Sequence, residues 1–99
     1  MAQIQSSPQI FEDFERFFKQ IDQSDGGSAT ARIEEIMQAL QVLSTSPLIG
    51  RPVQCGKREL VIGRGSRGYV ALYRYVPEMD TVFLLVVRSQ RESGYKHEP

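Results

Sequence analysis

Ninety-nine residues and 11.2 kDa correspond to one domain, residues 1–99, near the short end of the usual range. With 40% hydrophobic and 24% charged residues, the composition is that of a globular chain and excludes wholesale disorder. No apolar run approaches the ~20 residues that span a bilayer. The start MAQIQSSPQ lacks the pattern of a signal peptide, and a single cysteine, Cys55, excludes an intrachain disulfide. A cytoplasmic protein with no membrane partner is therefore expected.

The net charge of zero conceals an asymmetry. Residues 1–50 carry three basic and seven acidic residues, and residues 51–99 carry nine basic and five acidic, mostly as arginine among the bases. Arginine presents a planar, permanently charged fork suited to phosphate or carboxylate. The pI near 6.6 argues against a non-specific nucleic-acid coat and leaves room for a local basic face.

In chain order, Ala2–Gln5 reads as a very short strand. Ser7-Pro8 reads as a helix start, with Ser7 as N-cap and Pro8 in the first turn. Ile10, Phe11, Phe14, Phe17, Phe18 and Ile21 form a 3.6-period stripe, which predicts an amphipathic helix over about 8–22. Glu12, Asp13 and Glu15 fall on the opposite, solvated side. Gln23–Ser28 is a turn cluster, and a second helix over 29–43 buries Ala29, Ile33, Ile36, Met37, Leu40 and Leu43. Two such helices joined by a short loop predict an antiparallel hairpin. Pro47, Gly50 and Pro52 end it in an irregular segment.

Beyond Pro52 the period changes to alternation, with strands predicted over 58–63, 68–75 and 81–88. The middle strand sets Tyr69, Ala71, Tyr73 and Tyr75 against Val70, Leu72 and Arg74. The last sets Val82, Leu84 and Val86 against Phe83, Leu85 and Val87, as in an interior strand. Its second neighbour is the N-terminal strand, parallel across a right-handed two-helix crossover. The predicted fold is α+β, a helical hairpin packed on one face of a small sheet.

Gly63-Arg64-Gly65-Ser66-Arg67-Gly68 matches the GxGxxG pattern formally, but a strand follows where a dinucleotide site needs a helix. It reads instead as a hairpin loop. No metal-ligand spacing appears, and neither a metal nor a cofactor is expected. If the loop around Val76–Asp80 closes the last hairpin, Gly68 lies opposite Arg88. Arg64 and Arg67 then converge on Arg88 and Arg91, a cluster that calls for an anion or an acidic partner. The plainer reading is a solvated rim with Glu92 or Glu59 as counter-charge. Three tyrosines pack under the hairpin, whereas Tyr95 follows the last strand as a candidate for stacking or proton transfer, or for covering the core. His97 near the end of the chain and the isolated Cys55 suggest no site.

The order of elements, together with SPQIFEDFERFFKQI, LSTSPLIGRPV, RELVIGRGSRGYVALYRY and VFLLVVRSQRESGY, resembles the RelE/ParE family of toxins from bacterial type II toxin–antitoxin pairs. The resemblance implies a short N-terminal strand, an antiparallel two-helix hairpin and a three-stranded antiparallel meander forming one small sheet. It also implies a cytoplasmic toxin held in a hetero-oligomer by a cognate antitoxin, whose C-terminal segment wraps the toxin as helix and strand. RelE-like members cut mRNA in the ribosome, and Arg64, Arg88, Arg91 and Tyr95 lie near positions that they use. ParE-like members inhibit DNA gyrase and are not known as nucleases. Ser89 stands where related toxins often carry a histidine, no lysine pair precedes the middle strands, and the helical hairpin is long, so the expectation is gyrase inhibition. Arg64, Arg67, Arg88 and Arg91 would then bind the target. The alternatives are RelE-like, ribosome-dependent mRNA cleavage, a non-toxic arginine-rimmed RNA-binding module, and a toxin-fold regulator without activity.

Overall fold

A computed structural model of the chain describes residues 1–25, 29–63 and 68–90, and the side chains of all of these except 21–25. The elements are β1 (Gln3–Ser6), α1 (Pro8–Asp25), α2 (Ala29–Gln41), β2 (Arg51–Pro52), β3 (Arg58–Ile62), β4 (Tyr69–Val76) and β5 (Thr81–Ser89). Their sheet order is β1-β5-β4-β3-β2, with β1 parallel to β5 and every other pair antiparallel. The predicted α+β architecture is thus present, and the meander gains one strand that the sequence reading left irregular. That strand, β2, pairs two residues, Arg51 with Glu59 and Pro52 with Arg58. Proline has no backbone N–H to donate and suits such an edge position.

α1 extends three residues past the expected end, to Asp25, because Gln23, Ser24 and Asp25 carry nothing that breaks a helix. The expected turn otherwise falls on Gly26–Ser28, outside the described residues. α2 ends at Gln41 and tightens into a 3-10 turn over Val42–Ser44, with Thr45 N–H donating to Val42 O at 3.2 Å.

The core lies between the helices and one sheet face. Ile10 and Phe17 of α1 and Ile36 and Leu40 of α2 meet Tyr69, Ala71, Tyr73, Val82, Leu84 and Val87. The Phe17 ring lies 4.9 Å from that of Tyr69, tilted by 58°, which suits the quadrupoles of both rings. The predicted stripes are too broad, however. Phe11 (71% exposed), Phe18 and Met37 face solvent, and Ile21 lies outside the described side chains. One seam of each helix reaches the sheet, and the flanks of the apolar arc are left over.

Asp13 corrects the reading of α1 in the opposite direction. Its side chain is fully buried, not solvated. One carboxylate oxygen accepts from Gln9 Nε2 at 3.0 Å and Arg16 Nη1 at 3.1 Å, and the other accepts from Val87 N–H at 2.9 Å. A carboxylate can be buried when paired and fully hydrogen-bonded. Ser7 departs from its expected capping role, because the Ile10 N–H goes to its backbone O at 3.0 Å while its hydroxyl donates to Leu85 O at 2.8 Å.

The irregular segment after α2 is a clamp. Tyr73 Oη donates to Pro47 O at 2.8 Å and accepts from Gly50 N–H at 2.9 Å. Arg58 Nη1 adds bonds to Gly50 O at 2.7 Å and Leu48 O at 3.1 Å. A Cβ at Gly50 would stand 2.7 Å from Glu59 O and 2.7 Å from Tyr73 Oη, so only glycine fits there. Burial pushes the Tyr73 hydroxyl pKa up, against the Gly50 hydrogen bond and the Arg58 charge, which pull it down.

Candidate functional site

Of the five residues singled out in the sequence, Arg88 is described; Arg64, Arg67, Arg91 and Tyr95 lie outside the described residues, as do His97 and Glu92. Arg88 is half-buried on β5, opposite Val70. This corrects the expected register, in which it faced Gly68. β4 runs one residue further than expected, pairing Val76 with Thr81, and β5 carries a bulge that adds one more. Leu72 pairs with Val86 but Tyr73 with Leu84, so Leu85 has no opposite residue. Gly68 O accepts instead from Gln90 N–H, at 2.9 Å.

The bulge also changes which residues share a face. Before it, Val82 and Leu84 belong to the helix-side core; after it, Val87 does, opposite Ala71. The expected grouping of Val82, Leu84 and Val86 therefore breaks. Val86 and Arg88 join Val70 and Leu72 on the face away from the helices. Across that face run Val61, Val70 and Arg88 in one row and Glu59, Leu72 and Val86 in the next. The positions beside Arg88 are thus aliphatic, and Val70, Leu72 and Val86 are buried. Glu59 accepts from Arg51 Nη2 at 2.9 Å and Nε at 3.2 Å.

The tyrosines of β4 are committed to the fold, as the sequence suggested. Tyr69 packs on Phe17, and the Tyr73 hydroxyl holds the clamp. The Tyr75 hydroxyl donates to Asp80 Oδ1 at 2.8 Å, a bond that raises its pKa together with the nearby Asp80 and Glu78 charges. Ser89 is buried opposite Tyr69, whose ring belongs to the helix-side core. The site that emerges is an arginine on an aliphatic sheet face, with its Nη1 donating to Ser89 O at 3.4 Å. Among the described residues no group of three His, Cys, Asp or Glu could hold a metal, and no helix is long and apolar enough to cross a membrane.

Sequence reasoning missed the exposure of Phe11 and Phe18 on α1 and of Met37 on α2, and also missed Asp13. An i, i+7 relation between two phenylalanines looks the same whether the pair is buried or not. A carboxylate among other acids gives no sign of the backbone N–H it will meet.

A helical hairpin over one face of a mixed sheet, with an antiparallel meander and a parallel N-terminal strand, is the fold of the RelE/ParE-like toxins. The toxin–antitoxin structures of the chromosomal ParDE system of P. aeruginosa include a similar chain, 17% identical, with 90% of this chain and 96% of that one covered at a TM-score of 0.77. A chain of the RelBE2 complex of Mycobacterium tuberculosis is 25% identical, with 90% and 98% covered and a TM-score of 0.58. One of the intact E. coli RelBE complex is 15% identical, with 93% and 100% covered and a TM-score of 0.63. No curated protein matches the sequence. The family model for the ParE toxin of the type II toxin–antitoxin system parDE matches residues 4–94. The chain belongs to this family and is a type II toxin.

Proposed function

We propose that this toxin acts by binding DNA gyrase in the cytoplasm and is neutralised by a cognate antitoxin, without itself being a nuclease. The observation that carries this reading is the setting of Arg88, an arginine whose neighbours across the sheet face are Val61, Val70 and Val86. Cleavage of RNA needs a group to take the 2′-hydroxyl proton and another to protonate the leaving oxygen. Arginine stays protonated and serves neither role well, but it anchors protein interfaces strongly when set in an apolar surround. The tyrosine hydroxyls of Tyr73 and Tyr75 are held in hydrogen bonds of the fold, and Asp13 is held by Val87 N–H. Arg64, Arg67 and Arg91 complete the target-binding surface in this proposal.

The antitoxin reading is supported by the exposed phenylalanines of α1, where Phe11 and Phe18, two turns apart, offer a partner helix an apolar contact. The complexes of the similar chains are toxin–antitoxin assemblies. An acidic antitoxin segment would also screen the arginines. The test uses the purified toxin, released from its antitoxin, in two reactions: supercoiling by gyrase and cleavage of mRNA on translating ribosomes. Inhibited supercoiling with intact mRNA supports the proposal, and mRNA cleavage with normal supercoiling replaces it with the RelE-like reading.

A further inference from the structure

We propose that Asp13 is a positioning residue for Arg88, acting through the β5 bulge; this rests on the reading of Arg88 as a target contact. Strand parity makes the connection. Val82 and Leu84 face the helices, so an unbroken strand would send Val86 and Arg88 to the same side. A guanidinium would then stand in the core beside Phe17 and Tyr69, where an unpaired charge is strongly disfavoured. The extra residue at Leu85 reverses the parity and delivers Arg88 to the face away from the helices.

A bulge takes backbone groups out of the ladder, and those need partners. Here β1 stops pairing at Ser6 opposite Leu84, and the chain turning into α1 supplies them. Ser7 N–H closes the parallel ladder on Leu84 O at 2.9 Å, and beyond it the Ser7 hydroxyl donates to Leu85 O and Asp13 takes the Val87 N–H. A buried carboxylate is a poor way to stabilise a helix, since an apolar side chain of similar size often does as well. What Asp13 adds is an acceptor one residue before Arg88, fixed by Gln9 and Arg16. The bulged register thereby becomes the arrangement in which the backbone and the carboxylate are both satisfied.

The test compares wild type with Asp13→Ala, Asp13→Asn, Arg88→Ala and the Asp13→Ala/Arg88→Ala double variant. The inducer dose for half-maximal growth arrest is read in cells, and Val87 amide exchange is read on the purified toxin–antitoxin complex. Arg88→Ala is expected to raise the dose about tenfold or more, as an interface arginine does. Asp13→Ala raises it similarly, the double variant goes no further than Arg88→Ala, and Asp13→Asn, which keeps an acceptor oxygen, restores most of the potency. Val87 exchange is expected to be roughly tenfold faster in Asp13→Ala and protected in Asp13→Asn. Additive losses in the double variant, or no rescue by Asp13→Asn, would overturn the proposal. If Arg88→Ala is fully toxic, the reading of Arg88 fails, and the exchange data decide the positioning role: unchanged exchange at Val87 overturns it. Should Asp13→Ala not fold, Ser7→Ala, which removes the bond to Leu85 O, must lose potency in the same direction, and full potency there overturns the proposal.

Discussion

Replacing Tyr73 by phenylalanine removes one oxygen from the molecule and releases two backbone groups at once. Gly50 N–H and Pro47 O both lose their partner, the first in a fully buried position. The ring itself stays, so no cavity term enters. An orphaned buried donor costs about 1–3 kcal/mol, and the carbonyl, half exposed through Pro47, adds less. A loss of about 2–3 kcal/mol follows, against a total stability of roughly 5–15 kcal/mol for a chain of this size. With an m-value of about 1–3 kcal/mol/M, the urea midpoint should fall by roughly 0.7–3 M with unchanged slope. The control is Tyr75→Phe, which gives up an exposed bond to Asp80 and should stay within about 0.5 kcal/mol of wild type. Equal midpoints for Tyr73→Phe and Tyr75→Phe would refute the clamp.

The same hydroxyl predicts an alkaline limit. Its folded pKa lies above the ordinary 10.0, so its contribution is fully present below pH 10 and is lost as pH rises through the folded value; urea unfolding from pH 8 to 11 should show that decline, and Tyr73→Phe should lack that part of it. Gly50→Ala places a methyl 2.7 Å from Tyr73 Oη and Glu59 O and should lower stability by about 1–3 kcal/mol, read by thermal melting. Cys55 sits at φ 61°, so Cys55→Gly should be neutral or stabilising by up to about 1 kcal/mol in urea. Phe11→Glu with Phe18→Glu should leave the melting temperature nearly unchanged and weaken antitoxin binding at least about tenfold by calorimetry.

The fold was legible because its signals are local. The period of Ile10, Phe14 and Phe17 marks α1, and the alternation in Tyr69–Tyr75 marks β4. What was not legible depends on counting residues across the sheet. A bulge at Leu85 has no glycine or proline to announce it, and β4 gained a pair at Val76 that the turn residues Pro77–Asp80 did not require. Those two shifts moved the partner of Gly68 from Arg88 to Gln90. Apolar residues occupy both parities of β5, so the pattern 82–87 reads equally well in either register. Asp13 was hidden for a related reason, since its partner is a backbone N–H 74 residues away. Of the candidate site, the sequence singled out Arg88, and its face, depth and aliphatic surround came from the structure.

The most direct measurement is gyrase supercoiling with purified wild-type toxin and the Arg88→Ala variant side by side. The account expects wild type to block supercoiling and Arg88→Ala, still folded by circular dichroism and still bound by antitoxin, to lose at least about tenfold in potency. Supercoiling untouched by wild type, or blocked equally by both, would contradict it.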